Sequence, residues 1–301
     1  MKYFVAIPTY NGGELWKESV AAIKNQASNL LIQVIDSSSK DNTVITAKKA
    51  QFEVDIINSA DFNHGGTRNL AWQKHQSDYD IVVFLTQDAI VQVDAINKLV
   101  DVFKDPQVAC AYGRQLPHDN ANAIARHARF FNYKKSSYRA DKKDIPLLGL
   151  KTCFMSNSFS AYRIATLKEL GGFPSNTILC EDMYYTAKAV LAGYKVAYVA
   201  DAEAKHSHNY TPVEEFKRYF DIGVFHTDES WIRKEFGGAG GEGKKFIISE
   251  LFFLIKNSIF SIPRATLNNL AKILGYKLGQ NYKKLPGSLI THLSMHKRFW
   301  S

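Results

Sequence analysis

Short apolar runs alternate with amphipathic stretches along the first hundred residues. Tyr3-Phe4-Val5-Ala6-Ile7 is a continuous apolar run stopped by Pro8, and it predicts a buried strand. After the turn Thr9-Tyr10-Asn11-Gly12-Gly13, the positions Leu15, Ser19, Ala22, Ile23 and Gln26 recur along one side of a helix. Residues 31–36 read as a second strand that ends in Asp36. A helix over 43–51 and a third strand over 54–57 follow. Gly65-Gly66 then enters a helix that reaches about residue 76. Residues 81–85, Ile-Val-Val-Phe-Leu, predict a fully buried strand that delivers Asp88 to its carboxyl end.

The second half continues with a helix over 93–103 and a strand over 108–113. Residues 114–150 are mixed and polar, with an aromatic-rich helical piece at 123–133, and read as a long functional insertion. A strand over 154–162, a short helix over 164–170 and a helix opened by Cys180-Glu181-Asp182 come next. They are followed by a strand over 196–199 and an amphipathic helix over 212–231. Strands alternating with helices of this length imply an α/β fold, with a mostly parallel sheet flanked by helices. Ligands in such sheets bind outside the carboxyl ends of the strands.

The expected organisation is one catalytic domain over 1–235, in two halves at 1–92 and 93–235. Residues 236–243 hold five glycines in eight positions, so they read as a lid or a linker. Charge sets the rest apart. Residues 244–301 carry ten Lys or Arg against one acidic residue, Glu250, which accounts for the whole +9 of the chain. That segment also holds the apolar run Leu251-Phe252-Phe253-Leu254-Ile255. Two readings follow: a helix packed on the catalytic domain with a solvated basic face, or an interfacial anchor on an anionic membrane surface. No run of about 18 apolar residues is present, so no spanning helix is expected. The strand at the N-terminus leaves no room for a secretory leader. Cys110, Cys153 and Cys180 form no C-x-x-C pair, which favours a reducing compartment over a disulfide framework.

Candidate chemistry gathers at strand ends and helix starts. Asp36 could accept hydrogen bonds from a base or ribose, or simply stabilise its turn. Asp41, before Asn42-Thr43, reads as a capping residue. Gly65-Gly66-Thr67-Arg68 puts backbone N–H groups and a guanidinium near a helix start, an arrangement that suits a diphosphate. Glu181-Asp182 either complements the helix dipole or supplies a general base. His206 and His208 are neighbours on one face of a strand; a histidine there is either structural or, near two carboxylates, completes a metal shell.

These pieces, in this order, resemble a known family. Val5-Ala6-Ile7-Pro8-Thr9-Tyr10-Asn11, Val34-Ile35-Asp36-Ser37, Thr67-Arg68-Asn69, Phe84-Leu85-Thr86-Gln87-Asp88 and Glu181-Asp182 are similar to the family-two inverting glycosyltransferases of GT-A fold. Within that family, Phe62-Asn63-His64-Gly65-Gly66, Thr86-Gln87-Asp88-Ala89 and Tyr112-Gly113-Arg114-Gln115-Leu116-Pro117 look like bacterial rhamnosyltransferases, which use dTDP-L-rhamnose to build O-antigen, capsule or wall polysaccharides. The resemblance implies nucleotide-sugar contacts at Pro8, Thr9, Asp36, Arg68, Gln87 and Asp88. It implies that Asp88, the last residue of the family's D-x-D, binds Mg2+ or Mn2+, with His206, 24 residues after Asp182, as a further ligand. Asp182 would be the catalytic base. The chain departs from the pattern at Thr86, which stands where the family has the first Asp.

The resemblance also implies a lipid-linked glycan acceptor and a cytoplasmic enzyme, peripheral on the inner face of the plasma membrane through 244–301, with a homodimer left open. The enzyme alternative is a UDP-glucose or UDP-galactose donor. A nucleic-acid-binding protein is the remaining class. It is disfavoured because the positive charge is confined to one segment and no nucleic-acid motif is present.

Overall fold

The computed structural model describes residues 1–26, 30–238 and 241–300. Its first half runs β1 (Tyr3–Thr9), α1 (Gly13–Lys24), β2 (Ile32–Asp36), α2 (Thr43–Lys49), β3 (Glu53–Ile56), α3 (His64–Lys74) and β4 (Ile81–Leu85). Next come β5 (Ile90–Val91), α4 (Ala95–Asp101), β6 (Val108–Leu116), α5 (Ala123–Asn132), β7 (Tyr138–Ala140) and α6 (Ile145–Leu148). The sheet closes with β8 (Phe159–Arg163), α7 (Ile164–Leu170), α8 (Glu181–Leu191) and β9 (Lys195–Lys205). The C-terminal helices are α9 (Pro212–Asp228), α10 (Ser230–Phe236), α11 (Glu242–Asn257), α12 (Ile262–Gln280) and α13 (Gly287–Leu293).

One sheet carries the strands in the order β3-β2-β1-β4-β8-β6-β9-β5, and β7 adds to β9. The β3-β2-β1-β4 half is parallel, as the strand–helix alternation predicts. β8 then runs antiparallel between β4 and β6, so the sheet is mixed. The cause is the long excursion before β8, which brings the chain back across the sheet in the opposite direction. β1, β2 and β4 are nearly continuous apolar runs because both faces of the sheet are covered.

Several element boundaries differ from the sequence expectation: β6 and β9 run on to Leu116 and Lys205 instead of stopping at 113 and 199, and α4 is shorter than 93–103. The strand expected over 154–162 begins only at Phe159, because residues 154–158 leave the sheet to line a cleft. The helix expected over 212–231 divides at Glu229 into α9 and α10. His206 and His208 lie just past the end of β9 rather than within a strand. Of the Gly-rich stretch 236–243, expected as a lid or linker, residues 239 and 240 lie outside the described residues.

The basic segment is folded onto the catalytic half. α11 crosses α5, where the His127 ring meets Phe246 and Phe253 at 4.9 and 5.4 Å. α12 lies along α9 at very short range. A Cβ added to Gly275 would stand 2.2 Å from Phe216 O, and one added to Gly279 would stand 2.0 Å from Phe220 O. Glycine one turn apart is what lets the two backbones approach this closely. Gly279→Ala is therefore expected to cost roughly 1–3 kcal/mol in chemical denaturation. Gly287→Ala, where an added Cβ meets nothing within 4 Å, is expected to stay within about 0.5 kcal/mol. Equal behaviour of the two variants would contradict the close contact.

Candidate active site

The carboxyl ends of β1 and β4 open into a cleft of about 1490 Å³, lined by Pro8, Thr9, Arg68, Gln87, Asp88 and His206 among others. Asp36 is not on it. That side chain is 0% exposed, and its carboxylate accepts from Thr9 Oγ1 at 2.9 Å, Ser39 N at 2.8 Å and Ser39 Oγ at 2.6 Å. These bonds hold the β1 and β2 loops together, the turn-stabilising role that a carboxylate at this strand end allows. Asp41 is a loop-fixing residue, as its sequence context suggests, accepting from Thr43 N and Gly13 N. Gln87 clamps the turn after β1, accepting from Tyr10 N at 2.8 Å and donating to Tyr10 O at 3.1 Å.

The glycine pair at the start of α3 does less for a phosphate than the sequence suggests. Gly66 N–H is already taken by the capping side chain of Asn63. Gly65 is needed for contact, since a Cβ there would lie 1.8 Å from Pro174 O. Arg68, one turn on, lines the cleft and ion-pairs with Glu181 Oε1 at 3.0 Å, with both side chains 6% exposed. This pair joins α3 to α8.

Asp88, His206 and His208 converge at the centre of the cleft. Asp88 Oδ2 lies 3.5 Å from His206 Nε2 and 3.6 Å from His208 Nε2, and the candidate ligand atoms all fall within 4.8 Å of one another. Burial acts to raise the Asp88 pKa, but the two imidazoles outweigh it and hold the carboxyl well below its usual range. Burial, with His206 beside it, pushes His208 down to about 4, so its imidazole is neutral at physiological pH. His208 was read from sequence only as a neighbour of His206. The H-x-H spacing past a strand end is the signal that could have found it.

The tautomer of His206 follows from its partner. Gln115 Oε1 accepts from the Arg129 guanidinium, which can only donate, and Gln115 Nε2 donates to Ser156 Oγ at 2.7 Å. The amide orientation is therefore fixed. His206 Nδ1, 2.9 Å from the same Oε1, must be the donor. That leaves Nε2 as the ring nitrogen that faces the Asp88 carboxylate, and an ion bound between them would take its lone pair. Three electron-rich atoms on one point fit a divalent cation. Two imidazoles suit Mn2+ better than Mg2+.

Asp182 stands at the back of the cleft wall. Ser156 and Ser158 line the cleft on either side of Asn157, whose backbone N–H donates to Asp182 Oδ2 at 3.1 Å. Asn157 Nδ2 donates to Glu181 Oε1 at 2.7 Å. Burial works to raise the Glu181 pKa, but Arg68, His64 and Asn157 outweigh it and keep that carboxylate ionised. Burial, and then the Glu181 charge, push Asp182 up to about 7. Two neighbouring carboxylates thus differ in protonation, and the higher one is matched to taking a proton near neutral pH.

Sequence reasoning missed the far end of the chain. Met295, His296, Lys297, Arg298 and Phe299 line the same cleft. Buried Asp221 anchors them, accepting from Met295 N at 2.9 Å and His296 N at 3.2 Å. The Arg298 guanidinium donates to Ser59 O at 3.1 Å and lies over the Tyr10 ring at 5.5 Å. Only the basic cluster His296-Lys297-Arg298 hinted at this, without pointing to a location.

This cleft, with a metal-fitting triad beside strand β4 and a raised carboxyl on α8, is the architecture of a nucleotide-sugar transferase, and the comparisons agree. The chain belongs to glycosyl transferase family 2, whose model matches residues 4–171. It is 55% identical to the O-antigen chain rhamnosyltransferase RfbN of Salmonella typhimurium (strain LT2), over 100% of this chain and 96% of that protein. It is 50% identical to the O-antigen chain rhamnosyltransferase WbaN of Salmonella anatum, over 99% and 96%. Among solved structures, the fold is similar to the mannosyltransferase PcManGT of Pyrobaculum calidifontis, solved with GDP-Man and Mn2+. The TM-score is 0.64 at 16% identity, over 94% of this chain and 88% of that one. It is also similar to S. aureus TarS 1-349, solved with UDP-GlcNAc, with a TM-score of 0.53 at 19% identity over 98% and 84%.

Gln115 is the residue that orients His206. Gln115→Leu is expected to weaken Mn2+ binding by about 10–100-fold, read by titration with electron paramagnetic resonance. Gln115→Glu, which keeps the acceptor, is expected to retain most of the affinity. Wild-type Mn2+ affinity in Gln115→Leu would contradict the role.

Proposed function

We propose that this glycosyltransferase moves L-rhamnose from dTDP-β-L-rhamnose to a lipid-linked glycan, with inversion, in the synthesis of an O-antigen. The observation that carries the reading is the Asp88–His206–His208 triad in the cleft together with an Asp182 carboxyl, raised to about 7, held by Asn157 behind the cleft wall. The full-length similarity to two O-antigen chain rhamnosyltransferases supports the sugar and the pathway.

A Mn2+ ion held by Asp88, His206 and His208 would neutralise charge on the leaving diphosphate. Pro8, Thr9 and the Gln87-clamped turn line the nucleotide end, and Arg298 covers Tyr10 there. Arg68 sets the charge state of Glu181 rather than acting on phosphate alone. Asp182 takes the proton of the acceptor hydroxyl as its oxygen bonds to the anomeric carbon, while the bond from that carbon to the diphosphate oxygen breaks. One displacement converts the β-linked donor into an α-rhamnoside.

No helix among the described residues is long and apolar enough to cross a membrane. Association at the surface of an anionic inner leaflet is supported instead by the outer faces of α11 and α12. Phe252, Ile255, Leu267 and Leu274 are exposed there, with Phe260 95% exposed between the two helices and Lys256, Arg264 and Lys277 beside them. Vesicles rich in anionic lipid are expected to float the protein, and Phe252→Ser/Phe260→Ser is expected to leave it in the soluble fraction. A dimer in solution with no flotation would assign the face to a second copy.

Asp182 must be deprotonated to act. The single-turnover rate with dTDP-rhamnose and Mn2+ is therefore expected to rise with pH up to about 7 and to stay flat above it. Asp182→Asn is expected to lose transfer by about 10³-fold or more while binding dTDP within a few-fold of wild type. Near-normal turnover by that variant would remove Asp182 as the base. Turnover with UDP-glucose or UDP-galactose and none with dTDP-rhamnose would replace the donor.

A further inference from the structure

The cleft continues past the metal-fitting triad. The His208 ring lies 5.0 Å from that of Tyr210, and from Tyr210 a wall of alternating rings and cations runs along α9 toward α12 and α11. Arg218 stands over Tyr210 at 5.3 Å and over Tyr219 at 4.8 Å. Lys272 stands over Tyr219 at 5.8 Å and over Phe246 at 4.9 Å. All five residues line the cleft. None of the five side chains lies at the nucleotide end, which is built from β1, the loop before α3 and residues 295–299, although α9 also anchors that segment through Asp221.

Charge on this wall is unbalanced. Glu215 serves both cations, at 2.7 Å from Arg218 Nη2 and 3.3 Å from Lys272 Nζ. Glu250 on α11 also faces Lys272, but burial raises its pKa and its carboxyl accepts from Asn269, so Glu215 is the carboxylate the two cations share in this sheltered groove. Asn268 lies one turn before Lys272 on the same face of α12 and also lines the cleft. It is 2% exposed, and its Oδ1 has no hydrogen-bond partner. Buried carboxamide oxygens are normally satisfied. A ligand with both a negative charge and hydroxyl groups would complete the wall: phosphate oxygens on Arg218 and Lys272, and a sugar hydroxyl donating to Asn268 Oδ1. The rings between the cations add apolar faces of the kind a sugar packs against.

We propose that Arg218, Lys272 and Asn268 form an acceptor subsite that binds a glycosyl phosphate or diphosphate, separate from the diphosphate of the donor. This rests on reading the cleft as a glycosyl-transfer site. The position supports an acceptor rather than a donor phosphate: Lys272 is separated from the triad by the Tyr210 and Tyr219 steps. The wall also ends at Phe246 on α11, the helix whose outer face is apolar. A lipid carried by the phosphate would leave the cleft toward that face.

Farnesyl diphosphate is the probe, titrated by calorimetry into full-length protein already saturated with dTDP and Mn2+, with farnesol as the uncharged control. Wild type is expected to bind farnesyl diphosphate under these conditions and to bind farnesol at least tenfold more weakly. Lys272→Gln and Arg218→Lys are each expected to weaken farnesyl diphosphate by about tenfold while leaving dTDP affinity unchanged, which also reports that the variants fold. Equal binding of farnesyl diphosphate by the variants and wild type would overturn the subsite. So would its displacement by dTDP, or a loss of dTDP affinity in the variants, either of which would assign the cations to the donor. Failure of wild type to bind dTDP at all would instead count against the donor reading above.

Discussion

The ion pair between Arg68 and Glu181 is the contact on which the rest of the site depends. It is buried on both sides and joins α3 to α8. Taking two charges out of water costs several kcal/mol per ion, and a buried pair holds only when its geometry and hydrogen bonds offset that cost. Here Asn157 adds a hydrogen bond to Glu181, and the carbonyl of His64 accepts from Arg68. The result is an ionised Glu181 fixed beside Asp182. Its charge, added to burial, lifts the neighbouring carboxyl toward neutrality. A structural ion pair thereby sets the proton affinity of the proposed base.

A hydrogen-bonded path links that base to the proposed metal site. Asp182 is held by Asn157, Ser156 precedes Asn157 and accepts from Gln115, and Gln115 fixes His206 opposite Asp88. The proposed leaving-group and acceptor centres therefore share one continuous polar wall. This accounts for the late start of β8. Residues 154–158 forgo sheet pairing so that Ser156 and Asn157 can join the two centres.

Much of this was legible in the sequence, for reasons that vary by residue. Asp88 and Asp182 could be found because a strand end and a helix start fix where their side chains go, and a chain-wide order of weak motifs gave them roles. Arg68 could be located but not its partner, because an ion pair between residues 68 and 181 leaves no local pattern. Asp36 looked the same in sequence as a ligand-facing carboxylate. Its hydrogen bonds from Thr9 and Ser39 form only when two loops meet. The hardest part was the chain end. Arg298 reaches Ser59 across 239 positions, anchored by a buried aspartate on α9, and no periodicity encodes such a contact. The same segment had been separable from the catalytic half by charge alone, yet its glycine-lined contact with α9 folds it into the cleft.

The central claim is that Asp88, His206 and His208 hold the ion against which the donor diphosphate is activated. Anomalous scattering from crystals grown with Mn2+ and dTDP tests it most directly. The account predicts one manganese peak within about 2.3 Å of an Asp88 oxygen and of both Nε2 atoms, with the diphosphate completing the coordination. A manganese peak held by other residues, or a bound diphosphate with no manganese at this triad, would contradict it.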